Sequence, residues 1–193
     1  LRALSALRRF CTIAKGIGLP SLTAVATAAV REASDGNDFI AQVQSETGLK
    51  IHVINGEEEA RLAAQGVLLG WPGSYGLVCD IGGGSMELAE IANGQVGQSV
   101  TSALGPLKLI NVPGGKKGRK AVIAETLDHL RDQMGPQSDR LFLVGGSWRA
   151  LARIDMHRRG YPLHVLHEYQ MTARDVKATV RYIEDCDLKE LGK

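Results

Sequence analysis

Residues 77–91 read LVCDIGGGSMELAEI: an apolar run, an acid, three glycines and a serine, and then alternating apolar and polar residues. The apolar run is typical of a buried strand, and the alternation after Met86 predicts a second strand. The glycines between them have no side chains, so their backbone N–H groups can approach an anion closely. The stretch therefore predicts a strand, a glycine turn and a second strand, in which the turn can bind phosphate.

Two carboxylates flank this turn, because Asp80 precedes the glycines and Glu87 follows them. Two acids beside a bound phosphate need a divalent cation to offset the repulsion, and Mg²⁺ prefers such oxygen ligands. We therefore predict that Asp80 and Glu87 hold Mg²⁺ or another divalent cation. A structural alternative stays open for Asp80 and Ser85, because both residue types also cap turns.

The glycine triplet alone is a weak signal, because glycine-rich turns between strands are common and most bind nothing. The sequence has no GxxxxGK[ST] motif, so it lacks the phosphate-binding lysine of that loop. P-loop and dinucleotide sites also lead from the glycines into a helix, whereas these glycines lead into a predicted strand. Both of those nucleotide-binding classes are therefore excluded.

The chain resembles the exopolyphosphatase and guanosine-pentaphosphate phosphatase family of the actin-like superfamily. The resemblance rests on ATAAVREASDG (26–36), VINGEEEARLAAQGV (53–67), DIGGGSMEL (80–88), VGGSWRALARI (144–154) and GYPLHVLHEY (160–169). It implies an α/β fold, namely that of an actin-like (ribonuclease H-like) two-domain phosphohydrolase. The alternation of predicted strands and helices indicates the same α/β class.

The resemblance also implies roles for individual residues. Glu59 is expected to be the general base that activates water, with Glu58 as the second candidate. The alternative is a purely structural role, in which the three carboxylates of residues 57–59 form the first turn of a helix and are stabilised by the helix dipole. The residues expected to bind phosphate are Arg31, Gly82, Gly83, Gly84, Ser85, Gly145 and Gly146. Arg31 suits this role because its guanidinium is a planar, permanent charge.

The activity implied by the resemblance is metal-assisted hydrolysis of the terminal phosphate of inorganic polyphosphate. Two alternatives stay open: hydrolysis of guanosine pentaphosphate, a reaction of the stringent response, and binding of polyphosphate or the guanosine alarmone without catalysis. The resemblance further implies a cytoplasmic protein, and a homodimer is compatible with it.

Family members begin with a first phosphate loop of the type D-x-G-S-N-S, and no such motif occurs in residues 1–193. We therefore expect these residues to be part of a longer protein. We also expect hydrolysis to require that longer protein, because two phosphate loops close over the substrate in actin-like sites. An error of about 1 Å in the position of reacting groups already costs ~10²-fold in rate.

Composition limits the other function classes. The net charge is +2, from 23 basic and 21 acidic side chains, which is too balanced to indicate nucleic-acid binding. No apolar run reaches the length of a membrane span, so no membrane association is expected. The three cysteines have no paired spacing, and neither disulfides nor zinc are expected.

The chain is expected to divide at the glycine- and proline-containing linker 70–74. We predict a partial first domain over 1–70, a second domain over 75–160 that carries the glycine loop, and the start of a C-terminal helical region over 161–193.

Thr27 is expected to cap a helix that Gly36 closes. Residues 104–120 are expected to depart from the family's pattern, through a deletion or a disordered gap. The predicted strands are 22–26, 50–54, 77–91 as a hairpin, 95–104 and 140–144; the predicted helices are 1–14, 28–35, 57–69, 118–135 and 147–158.

Overall fold

The computed structural model describes residues 2–186 and has a mixed α/β architecture. Its first half contains α1 (Arg2–Gly16), β1 (Ala24–Ala26), α2 (Ala28–Arg31), α3 (Gly36–Thr47), β2 (Ile51–Val53) and α4 (Gly56–Gly70). Its second half contains β3 (Gly76–Ile81), β4 (Met86–Ala92), β5 (Gln95–Ser102), α5 (Pro106–Leu109), α6 (Gly115–Met134), β6 (Leu141–Val144), α7 (Gly146–Arg159) and α8 (Ala173–Asp185).

The first half contains a small parallel sheet of β1 and β2, with Ala24 opposite Ile51. Helices α1 and α3 cover it, and their contact is built on Leu4, Val43 and Leu49, which are all buried. Parallel strands need a crossover connection, and here α2 and α3 provide it.

The second half is built on a four-stranded sheet in the order β5-β4-β3-β6. Strands β3, β4 and β5 are antiparallel neighbours, whereas β6 runs parallel to β3. Side chains alternate between the two faces of a strand. One face packs against α6 through a cluster of Cys79, Met86, Leu88, Val100, Leu104, Leu130 and Met134.

Helix α4 covers the opposite face of this sheet. The cluster on that face consists of Ala60, Ala64, Val67, Val78, Ala89 and Ile91. By the same alternation, Asp80 shares the face of Val78, and Glu87 shares the face of Ala89. Asp80 and Glu87 are also direct partners in the register of β3 and β4. The predicted metal ligands therefore lie side by side on the face that α4 covers.

Small residues allow α4 to approach the sheet closely. A Cβ atom at Gly56 would lie 2.5 Å from Cβ of Thr101 on β5, so only glycine fits there. Ala60 and Ala64 follow at the spacing of one helical turn and are also buried. The first turn of α4 is thereby fixed next to the ends of β4 and β5.

The predicted role of Gly36 is wrong. Gly36 begins α3 instead of ending the preceding helix, which stops at Arg31. A Cβ at Gly36 would lie 2.3 Å from the carbonyl oxygen of Val30, so the glycine is required by close packing of backbone against backbone. Thr27 stands at the N-cap of α2, but its side chain accepts no capping hydrogen bond. Helix α3 itself was not predicted, and it ends at Gly48, whose φ of 71° is left-handed.

The segment 104–120 contains regular secondary structure, and its predicted departure from the family's pattern stays a prediction. It contains the short helix α5, which starts at Pro106, and the first turn of α6, which begins at Gly115. Proline at the first position of a helix has a suitable fixed φ and loses no hydrogen bond there. The other predicted helices and strands occur, with ends that differ by a few residues.

The predicted domain division at 70–75 stays a prediction, although α4 packs on the sheet of the second half. Helix α8 lies in the predicted C-terminal region, of which residues 187–193 fall outside the described part. Among residues 2–186, no helix combines the length and the apolar character needed to cross a bilayer.

A buried carboxylate joins α8 to α7. Asp155 on α7 is fully buried and accepts hydrogen bonds from the hydroxyls of Thr179 and Tyr169, each at 2.6 Å. Arg158 and Arg159 donate to the same carboxylate at 2.7 and 3.4 Å. Burial alone raises the pKa of Asp155, but the hydrogen bonds from Thr179, Tyr169 and Arg158 outweigh it and lower the pKa to about 2.

We expect Asp155→Asn to lower the free energy of unfolding at pH 7 by about 2 kcal/mol, because the amide loses the charge-assisted bonds to the two arginines. Since the folded pKa lies below the unfolded value, this stabilisation is present above about pH 4 and is lost as the pH falls toward 2. Urea denaturation at pH 7 and pH 3 measures the difference, which should be smaller at pH 3. Asp128→Asn is the control, because Asp128 forms only an exposed pair with Arg131. A loss of equal size at both pH values would contradict the assignment.

Candidate active site

The loop between β3 and β4 comprises residues 82–85. The N–H of Gly82 donates to the carbonyl of Ser85 at 3.0 Å and closes the turn. The N–H groups of Gly83, Gly84 and Ser85 donate to no acceptor among the described residues. Three amides are therefore available to an anion. The N–H of Gly82 is already used to close the turn, and the predicted contact of Gly82 with phosphate stays a prediction.

The glycines of this loop are needed for close approach and not for an unusual backbone conformation. None of Gly82, Gly83 and Gly84 has a positive φ. The loop packs instead against Gly105, where a Cβ would lie 2.2 Å from the carbonyl carbon of Gly84. The N–H of Leu107 also donates to the carbonyl of Gly83 at 2.9 Å. The start of α5 thus supports the loop from behind.

The loop forms one wall of a cleft of about 350 Å³. The opposite wall comes from α2 and from the first turn of α4. Residues that line the cleft are Thr27, Ala28, Ala29, Glu32, Ala33, Glu59, Gly82, Gly83, Gly84, Ser85 and Leu107. The structure therefore brings Glu59 and the predicted phosphate loop into one cleft.

Glu59 is the acid of residues 57–59 that faces this cleft. Its side chain is 19% exposed, and its Oε2 lies 3.5 Å from Nη1 of Arg31. Arg31 also donates to the carbonyl of Ile54 at 2.8 Å, which fixes its guanidinium at the start of α4. Asn55 caps the helix by accepting a hydrogen bond from the N–H of Glu58 at 2.8 Å. Arg31 thus holds Glu59 in place and is not itself part of the cleft lining.

Glu58, the second candidate for the general base, points elsewhere. Both of its oxygens accept hydrogen bonds from Arg61, at 2.7 and 2.5 Å. These hydrogen bonds lower the pKa of Glu58, and its carboxylate does not line the cleft. Successive helix positions differ by roughly 100°, which explains why neighbouring acids separate in this way.

Glu87 is a buried carboxylate below the loop, with a relative exposure of 1%. Thr101 donates to its Oε1 at 3.2 Å, but its buried Oε2 has no hydrogen-bond partner among the described residues. Burial raises the pKa of Glu87, and the charges of Glu59 and Asp80 raise it further, whereas hydrogen bonds from Ser85 and Thr101 lower it. A buried polar atom without a partner is costly.

Asp80 lies beside Glu87 on β3. Burial raises the pKa of Asp80, and the charge of Arg149 lowers it. Together, the unpartnered oxygen of Glu87 and the neighbouring carboxylate fit a hard divalent cation. Within residues 2–186, no three His, Cys, Asp or Glu side chains converge as a complete metal site. Mg²⁺ commonly takes one or two carboxylates and completes its shell with water and substrate phosphate.

Gly145 and Gly146 lie behind Asp80 and do not line the cleft. Gly145 has a φ of 108°, and a Cβ there would lie 2.8 Å from Oδ1 of Asp80. This glycine therefore lets β6 turn into α7 while its backbone packs against the acid. The predicted substrate role of the two glycines stays a prediction.

Sequence reasoning missed two charged residues at the cleft. Glu32 lines it from the end of α2, and Lys108 on α5 forms an ion pair with Glu32, with Nζ and Oε2 2.6 Å apart. Lys108 also lies beside Gly84, where a Cβ would be 4.0 Å from the lysine Cε. Lys108 lies on α5, which is not among the predicted helices, and no motif in the sequence links it to the glycine loop.

Fold and cleft together define an α/β protein with a glycine hairpin whose loop amides are unpaired and a carboxylate opposite it. The chain belongs to the Ppx/GppA phosphatase family, whose model matches residues 1–191. It is 31% identical over 166 residues to exopolyphosphatase 1 of Mycobacterium leprae, which covers 79% of this chain and 49% of the relative. It is 33% identical over 166 residues to exopolyphosphatase 1 of Mycobacterium tuberculosis, with coverage of 79% and 48%.

Solved structures show the same fold. An exopolyphosphatase from Cytophaga hutchinsonii matches with a TM-score of 0.81 at 23% identity, over 98% of this chain and 65% of that one. The Ppx/GppA family member of Aquifex aeolicus matches with a TM-score of 0.72 at 22% identity, over 98% and 63%. The predicted family is confirmed, and so is the α/β fold class. The chain spans about half the length of the curated relatives named above.

We expect Glu87→Gln to raise the melting temperature at pH 8, without divalent cations, by about 2–4 °C, the shift that roughly 1 kcal/mol produces in a chain of this size. The pKa of Glu87 is higher in the folded state than in the unfolded state, so between these two pKa values the native state binds more protons. Stability therefore falls as the pH rises from the unfolded pKa through the folded pKa. Glutamine removes this penalty. Mg²⁺ should raise the melting temperature of the wild type and not that of the variant, as followed by circular dichroism.

Glu125→Gln is the control, because Glu125 is exposed on α6. A lower melting temperature for Glu87→Gln at pH 8, or an equal response of both proteins to Mg²⁺, would contradict the assignment of Glu87 as a metal ligand.

Proposed function

We propose that the protein hydrolyses the terminal phosphate of inorganic polyphosphate. The observation that supports this most directly is that Glu59 and the free amides of Gly83, Gly84 and Ser85 share one cleft. A carboxylate opposite fixed N–H donors suits the attack of water on phosphorus. The names of the Mycobacterium relatives support polyphosphate as the substrate.

In the proposed reaction, the water oxygen attacks the terminal phosphorus while the water gives a proton to the Glu59 carboxylate. The bond from this phosphorus to the bridging oxygen breaks, orthophosphate is released, and the shortened chain keeps the electron pair on its new terminal oxygen. The three loop amides stabilise the charge on the equatorial oxygens. Because a phosphoanhydride is a good leaving group, positioning and charge neutralisation supply most of the rate acceleration.

Asp80 and Glu87 would hold the divalent cation, and Mg²⁺ bound there supplies positive charge next to the transferred phosphate. Arg31 orients Glu59 through the contact at 3.5 Å. Its predicted contact with phosphate remains part of the proposal. A homodimer and a cytoplasmic location stay predictions.

The test of this function is orthophosphate release from long-chain polyphosphate by the longest natural form of the protein that contains residues 1–193. We expect release with Mg²⁺ and none with excess chelator, because the cleft acids would otherwise repel the substrate. Guanosine pentaphosphate is tested in parallel, and faster turnover of that substrate would favour the alternative activity. Undiminished release in excess chelator would rule out the metal-assisted mechanism.

We expect Glu59→Gln to lower the rate of phosphate release by ~10²–10⁴, because glutamine keeps the size of the side chain and loses its basicity. Polyphosphate binding, measured by isothermal titration calorimetry, should be nearly unchanged. Glu58→Gln is the matched control and should retain most of the activity, since Glu58 is paired with Arg61. If Glu58→Gln is inactive and Glu59→Gln is active, the general base is Glu58 and the assignment of Glu59 is wrong. If both variants and the wild type bind polyphosphate and release no phosphate, the protein is a binding protein.

A further inference from the structure

Lys108 is a cation fixed beside the phosphate loop. Helix α5 begins directly after Gly105, whose backbone is packed against Gly83 and Gly84. The hydrogen bond from the N–H of Leu107 to the carbonyl of Gly83 ties the helix to the loop at a second point. The backbone of Lys108 therefore cannot move far from the loop, and its side chain is 40% exposed.

The partner of Lys108 comes from the opposite wall of the cleft. Glu32 follows directly after α2, lines the cleft, and is 43% exposed. The pair at 2.6 Å thus spans the mouth of the cleft. Exposed ion pairs contribute little to stability, so a phosphate oxygen can readily replace the Glu32 carboxylate as the partner of Lys108.

The charges around the cleft show why this lysine matters to a polyanion. Two acids line the cleft, Glu32 and Glu59. Glu87 lies near enough to Glu59 for that charge to raise its pKa, and Asp80 is its neighbour across β3 and β4. The nearby cations are each engaged with one of these acids, Arg31 with Glu59, Lys108 with Glu32 and Arg149 with Asp80. Lys108 is the one of these three cations that lies beside Gly84 of the loop, and its partner Glu32 lines the cleft.

We propose that Lys108 and Glu32 form an exchange pair at the cleft mouth. Lys108 leaves Glu32 and binds an oxygen of the phosphate that adjoins the one held by the loop amides, while Glu32 competes with the substrate for the lysine. This inference rests on the proposed function. It assigns Lys108 to substrate binding and Glu32 to limiting the affinity for substrate.

Competition and simple bridging predict different results. If the pair only braced the two walls, Lys108→Gln and Glu32→Gln would both break the brace and would shift affinity in the same direction. In the exchange pair, Lys108→Gln removes a phosphate ligand and weakens binding, whereas Glu32→Gln removes the competitor and tightens it. The effect of Glu32→Gln must also disappear when Lys108 is absent.

The experiment measures binding of imidodiphosphate, whose P–N–P bridge resists hydrolysis, by isothermal titration calorimetry at fixed Mg²⁺ and low ionic strength. For Lys108→Gln we expect binding about tenfold weaker, the loss of one charge-assisted hydrogen bond. For Glu32→Gln we expect binding about threefold tighter, the release of one exposed ion pair. The double variant should bind like Lys108→Gln alone.

Lys116→Gln and Glu184→Gln are matched controls, because these residues form an exposed lysine–glutamate pair between α6 and α8, with Nζ and Oε1 3.9 Å apart. Both controls should bind like the wild type, and melting temperatures verify that every variant is folded. Weaker binding by Glu32→Gln, or tighter binding that persists in the double variant, overturns the exchange pair. If the wild type binds no imidodiphosphate, both the exchange pair and the proposed function are contradicted. If the wild type binds it and Lys108→Gln binds it equally well, only the exchange pair is contradicted.

Discussion

The close packing of α4 on the four-stranded sheet is the constraint on which the cleft depends. Gly56 leaves no room for a side chain against Thr101, and Ala60 and Ala64 keep the helix close to the strands. Protein interiors are packed as densely as crystals, so a larger residue on this face would displace the whole helix. Glu59 lies within the same first turn. Its position opposite the glycine loop is therefore a consequence of small residues one turn apart.

A second feature of the site is the unfavourable charge distribution next to the glycine loop. Glu87 is buried with one oxygen unpartnered, and Asp80 lies next to it, so burial raises the pKa of both. Keeping carboxylates charged in such a place is costly. A phosphate chain alone would add to the repulsion, whereas a phosphate chain that brings a divalent cation relieves it. This charge distribution is the physical reason why the proposed function includes a divalent cation.

The strongest sequence patterns predicted their elements well. The apolar run before Asp80 and the alternation after Met86 form β3 and β4, because one face of each strand is buried against α6 and the other against α4. A weaker signal misled at Gly36. A glycine after a helical stretch is typical of a helix end, but Gly36 is a glycine because the carbonyl of Val30 lies against it. Contacts of this kind join backbones whose approach is not encoded in a local pattern.

The sequence by itself determined the family, the α/β class, the glycine hairpin and the placement of Asp80 and Glu87 on the two sides of the turn, because these follow from local order and from the two-residue period of strands. Only the tertiary structure decided which acid of α4 faces the loop, since that depends on how the helix is rotated on the sheet. It also decided that Gly82 closes the turn and that Lys108 meets Glu32 across the cleft. Such pairings join segments far apart in the chain, and only the packing of the two halves brings them within bonding distance.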